Sequence, residues 1–150
     1  MDPFSFIAGS YSLGGWLADN RPGAKDKEIV YSVHNKSSSK LRFALCSSYF
    51  PSDLSKYFST GWSEVDGGDT HGKRIHIPRR GMYIGIYVQY AKDGTRYLQD
   101  GGFKFYVLDK PLFLIKQART SPLLINCSGR PKLVSGYVDS VKDNYTFTIP

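Results

Sequence analysis

After Glu28, apolar and polar residues alternate along most of the chain with a period of two, the spacing of a strand that buries one face. In residues 28–35, Ile29, Tyr31 and Val33 share one face, while Val30, Ser32 and His34 share the other. In residues 40–49, Leu41, Phe43 and Leu45 oppose Arg42, Ala44 and Cys46, and 35–39 reads as a hairpin loop between the two segments. The clearest strand follows Arg79-Arg80-Gly81, where Met82, Ile84, Ile86 and Val88 alternate with Tyr83, Gly85, Tyr87 and Gln89. That pattern predicts one core face and one aromatic face. Segments 61–65, 73–77, 96–98, 103–108, 112–115, 123–127, 132–138 and 145–149 continue it. Asp66-Gly67-Gly68-Asp69, Asp93-Gly94, Asp100-Gly101-Gly102 and Ser128-Gly129-Arg130-Pro131 supply the turn residues between them.

Two regions depart from the alternation. Residues 51–59 carry helical spacing, with Ser52 or Asp53 as a cap and Leu54, Tyr57 and Phe58 on one face. Residues 4–17 are apolar and Gly-rich, and a polar turn around Pro22-Gly23 separates them from the regular strands. The chain therefore divides into an N-terminal arm with its turn, 1–27, and a β domain, 28–150. Turn signals at such even spacing, with no βαβ crossover pattern, predict an all-β single domain. The expected form is a β-sandwich or partly closed barrel of about ten short strands with one short helix near 51–59.

Composition supports this reading. A chain of 150 residues suits one domain, and its 11 Tyr, 9 Phe and 2 Trp favour half-buried pleated surfaces. The net charge of +7 favours anionic partners and also serves solubility. Cys46 and Cys127 lack the spacing of a zinc site or a disulfide framework and read as buried, reduced thiols, with a single bridge between them as the alternative. Asn35, Asn126 and Asn144 open N-x-Ser/Thr triplets, which read here as strand ends. The chain as given carries no signal peptide and no apolar run of membrane-helix length. The expectation is a soluble protein, cytoplasmic or exported by a signal-independent route.

Catalytic signals are weak, and the chain reads as a non-enzyme without a cofactor. Gly61-Trp62-Ser63-Glu64-Val65 lacks the second glycine of a nucleophile elbow. Asp66, Asp69 and His71 offer oxygen and imidazole ligands for a metal ion, but aspartate and glycine are also what a tight turn requires. The basic run through Arg74, His76, Arg79 and Arg80 is followed by Tyr83 and Tyr87. If those two strands are neighbours, cations and rings share a surface suited to an anionic or stacking ligand. In the arm, Phe4, Phe6, Ile7, Tyr11 and Trp16 form a candidate assembly or membrane-docking segment, because exposed aromatics are costly on a monomer.

Val33-His34-Asn35-Lys36-Ser37-Ser38, Ala44-Leu45, Gly61-Trp62-Ser63-Glu64-Val65, Tyr87-Val88-Gln89-Tyr90 and Gly101-Gly102-Phe103 together look like a family of small bacterial domains of unknown function. The resemblance covers roughly the middle half of the chain and brings no functional residues with it. In architecture alone, a β-sandwich with a Gly-rich apolar N-terminus resembles actinoporin-type pore-forming proteins. The leading expectation is a non-enzymatic interaction module that assembles with itself through the arm or binds another protein. The alternatives are a membrane-active protein and a binder of single-stranded nucleic acid or another anionic ligand, nucleic acid ranking last as a partner.

Overall fold

The computed structural model describes residues 26–50 and 52–150. Among them, β1 (Asp26–Asn35), β4 (Thr70–Pro78) and β10 (Tyr145–Ile149) form a three-stranded sheet in the order β10-β1-β4. The remaining strands are β2 (Leu41–Ser47), β3 (Phe58–Val65), β5 (Met82–Tyr90), β6 (Phe103–Val107), β7 (Phe113–Lys116), β8 (Leu123–Leu124) and β9 (Lys132–Val141). They form a seven-stranded sheet in the order β6-β9-β5-β2-β3-β7-β8. The pairing is antiparallel except between β1 and β10. This is the predicted all-β architecture.

The alternation explains how the sheets stack. Ile29, Tyr31 and Val33 of β1, with Ile75 and Ile77 of β4, face Leu41, Phe43 and Leu45 of β2 and Ile84, Ile86 and Val88 of β5. These side chains make one core between the sheets, and fully burying each contributes about 1.5–3 kcal/mol over leaving it exposed. The other face of the large sheet carries a second core, built on Ala44, Cys46, Tyr87, Phe105, Val107 and Phe113.

The large sheet curls around this second core into a half-barrel. Its edge strand β6 reaches across to the opposite side, where Tyr106 N–H donates to the Ala118 carbonyl at 2.8 Å and Ser59 Oγ to the Tyr106 carbonyl at 2.6 Å. Tight curvature needs small residues on the concave face, and Ala44, Gly61, Gly85 and Gly136 provide them. A Cβ at Gly85 would lie 2.2 Å from the Phe103 ring, and one at Gly61 2.5 Å from the Phe113 ring. The glycines vacate the volume that the phenylalanines fill.

Three local expectations are corrected. Residues 35–39 are not a hairpin loop, because β1 and β2 belong to different sheets. They form a corner held by the buried Asn35 side chain. The 51–59 helix shrinks to one 3-10 turn, Leu54–Lys56, capped by the Asp53 carboxylate, which accepts from Ser55 N–H at 3.0 Å. Tyr57 and Phe58 serve the second and first cores respectively, and only extended backbone sends adjacent side chains to opposite faces. Residues 96–98 make no strand, only a single bridge between Arg96 and Gln89.

Both cysteines are free; Cys46 is wholly buried in the second core, where desolvation pushes its thiol pKa upward, whereas Cys127 is only partly buried against that core, in contrast to the expectation. Among the described residues, no helix is long and apolar enough to cross a membrane.

Candidate functional site

The basic and aromatic residues singled out by sequence do not come together. β4 and β5 lie in different sheets, so Arg74 and His76 point outward from the small sheet while Tyr83 and Tyr87 lie on the far face of the large one. The inter-sheet core stands between them. Tyr83 is 46% exposed, but Tyr87 is 5% exposed and packs in the second core, where desolvation raises its pKa. His76 lies 3.9 Å from Glu28, and Arg80 donates to the Tyr49 carbonyl at 2.9 Å, leaving Arg79 exposed on the same turn.

The metal candidates lie on the β3–β4 turn and the start of β4, as turn chemistry requires. Asp69 N–H donates to the Asp66 carbonyl at 3.0 Å, and Asp66 itself lies 3.9 Å from Lys40. His71 Nδ1 meets the Glu64 carbonyl at 2.9 Å. Among the described residues, no group of three His, Cys, Asp or Glu side chains is placed to hold a metal ion. Phe4, Phe6, Ile7, Tyr11 and Trp16 lie outside the described residues.

A different constellation forms near one end of the half-barrel. The β2–β3 ladder pairs Phe43 with Ser63 and then Leu45 with Thr60, so Gly61 and Trp62 together oppose Ala44. This bulge re-aims Trp62. Its main-chain N–H donates to the Pro111 carbonyl at 3.1 Å and its indole Nε1–H to the Leu108 carbonyl at 3.0 Å. The ring meets Tyr87 and Phe113 edge-on, at centroid distances of 6.2 and 5.9 Å. Trp62 thereby ties the 108–112 loop to the barrel.

Arg42 lies over this ring, with its guanidinium carbon 4.7 Å from the centroid, a contact worth about 0.5–2 kcal/mol depending on desolvation. Gln89 stands opposite Arg42 in the β2–β5 register and is 5% exposed. With its amide assigned so that the oxygen faces the guanidinium, the orientation that satisfies the groups at both ends, it accepts from Nε at 2.5 Å and Nη2 at 2.6 Å and donates from its nitrogen to the Gly94 carbonyl at 3.2 Å. Nη2 also lies 3.3 Å from Asp109, whose side chain is 94% exposed against 21% for Arg42. A planar cation is thus held in one orientation by a ring and a buried amide. Only the carboxylate on it faces open solvent.

Two clefts meet at Arg42, Trp62 and Asp109. One, of about 740 Å³, extends over Pro111 and Leu112 and is also lined by Glu64 and His71. The other, of about 400 Å³, is lined by Lys92, Arg130 and Lys132 as well as Asp93. Counting Arg42 and Asp109, four cations face two carboxylates in the smaller cleft. Near the other end of the barrel, Arg119 stacks over Phe103 at 4.1 Å and donates from Nε to the Lys104 carbonyl at 3.0 Å, covering the second core.

Arg42, Gln89 and Asp109 were not visible as a group from sequence, since their meeting depends on strand order and on the 108–112 loop. Glycine followed by tryptophan inside a strand was the available signal, because an isolated glycine there marks a bulge or a close approach. Comparison with models of known protein families, with characterised proteins and with solved structures finds no match for this chain.

Proposed function

We propose that this chain is a non-enzymatic binding module for an anionic ligand, seated at the clefts around Arg42 and Trp62. The observation that carries the reading is the fixed guanidinium: stacked on Trp62, held by buried Gln89, and bridged outward only to an exposed carboxylate. Such preorganisation lowers the ordering cost that a flexible surface arginine incurs on binding. Lys92, Arg130 and Lys132 add positive potential on one side, in keeping with the net charge of +7.

Asp109 occupies the place where a ligand oxygen would bind. An exposed ion pair is worth about 0–1 kcal/mol, so an incoming anion displaces it at little cost.

Calorimetric titration with inorganic phosphate at low ionic strength tests this. Asp109→Asn is expected to bind phosphate about two- to fivefold more tightly, since it removes an internal competitor worth at most about 1 kcal/mol. Arg42→Met is expected to weaken binding at least about tenfold, the loss of one hydrogen bond to a charged group. Unchanged affinity in both variants overturns the site. The gain expected for Asp109→Asn keeps the test decisive even if Arg42→Met folds poorly.

A further inference from the structure

The two clefts share one wall but differ in chemistry. The smaller has a formal excess of two positive charges, whereas in the larger Arg42 and Lys110 balance Glu64 and Asp109, and Trp62, Pro111 and Leu112 supply its apolar surface. Leu112 is 44% exposed and lines this cleft beside Trp62 and Pro111, so the three offer one apolar wall to a ligand. Glu64, which also lines the larger cleft, lies 3.3 Å from Lys40, so its charge is partly offset. The loop bearing Pro111 and Leu112 is pinned by both nitrogens of Trp62, and the apolar platform is therefore set before any ligand arrives.

We infer that the ligand is a phosphate monoester of a ring-bearing alcohol, with its phosphate in the basic cleft and its ring against Pro111 and Leu112. The inference rests on the anion-binding reading given above. Charge supports the phosphate: a monoester carries about −1.5 to −2 at neutral pH, which complements the excess in the smaller cleft better than a carboxylate does. Shape and polarity support the ring, since a flat apolar group packs well beside proline, leucine and a stacked guanidinium. Because the clefts meet at Arg42, one small molecule reaches both.

The test compares inorganic phosphate, phenyl phosphate and a short single-stranded oligonucleotide by calorimetry at low ionic strength. Phenyl phosphate is expected to bind about tenfold more tightly than inorganic phosphate, a difference of about 1.4 kcal/mol. That needs about 55 Å² of apolar surface removed from water, less than a phenyl ring offers. In Leu112→Ser the ratio of the two affinities is expected to fall towards about one. Equal affinities in the unaltered protein overturn the ligand class while leaving the anion site standing, whereas no binding of either overturns both. An oligonucleotide that outbinds phenyl phosphate by more than about tenfold overturns the small-ligand assignment in favour of a strand laid through both clefts.

Discussion

Gly136→Ala is expected to lower the stability of the domain by about 3 kcal/mol or more, near the upper end for overpacking a core. The added Cβ would lie 2.2 Å from the Ile86 carbonyl oxygen and 3.3 Å from the Phe105 ring. A ring can rotate, but the Ile86 carbonyl belongs to the ladder between β5 and β9, where Ile86 pairs with Tyr137. Relieving the clash means prying those strands apart at the place where the large sheet turns into a half-barrel. Gly72→Ala is the control, because the nearest atom to its added Cβ is 3.5 Å away on the outer face of the small sheet. That substitution is expected to be neutral or to stabilise by about 0.5–1 kcal/mol through the unfolded state. Urea unfolding of the two variants reads the contrast directly. Equal midpoints would mean that the curvature does not depend on the missing side chain.

Asn35→Ala is expected to cost about as much, about 3 kcal/mol, for a different reason. The side chain is fully buried and its hydrogen bonds run both ways: Nδ2 donates to the Ser39 carbonyl at 2.7 Å and the Val65 carbonyl at 3.2 Å. Oδ1 accepts from Ser37 N–H at 3.0 Å and from Ser37 Oγ at 2.6 Å. The main chain of Asn35 also exchanges hydrogen bonds with the β3–β4 turn, receiving from Gly68 N–H at 2.8 Å and donating to Asp69 at 2.9 Å. One residue therefore ties together two corners at which the chain passes between sheets. Alanine leaves the Val65 carbonyl without that donor, at about 1–3 kcal/mol for each buried group so orphaned. A urea midpoint within error of the unaltered protein would contradict this role.

These two positions also show what sequence could and could not disclose. Period-two alternation was enough to assign the faces of β1, β2 and β5, because a strand with one buried side must repeat that way whatever its neighbours are. It could not say which strands lie side by side. Residues 35–39 therefore read as a hairpin loop, and whether the basic run of β4 adjoins the rings of β5 stays open at the level of sequence. Tyr83 and Tyr87 share a parity and still differ, 46% against 5% exposed, because the curled sheet covers only the second. Parity correctly put Arg42 with Ala44 and Cys46, but whether that face was solvent or core depended on a curl set by Gly61, Gly85 and Gly136. The bulge at Gly61 and Trp62 then breaks the period, which is how the residue that seats Arg42 escaped a reading based on alternation.

The proposed anion site lies at Arg42 and not on the basic run of Arg74, Arg79 and Arg80. Two-dimensional nitrogen–proton NMR of the whole chain, with arginine Nε and indole Nε1 signals assigned, tests it as inorganic phosphate is added. Saturable shifts are expected at Arg42 Nε and Trp62 Nε1, since Gln89 and Asp109 must readjust around the guanidinium when an oxygen replaces the carboxylate. Shifts confined to Arg74, Arg79 and Arg80, with Arg42 and Trp62 unmoved, would contradict it.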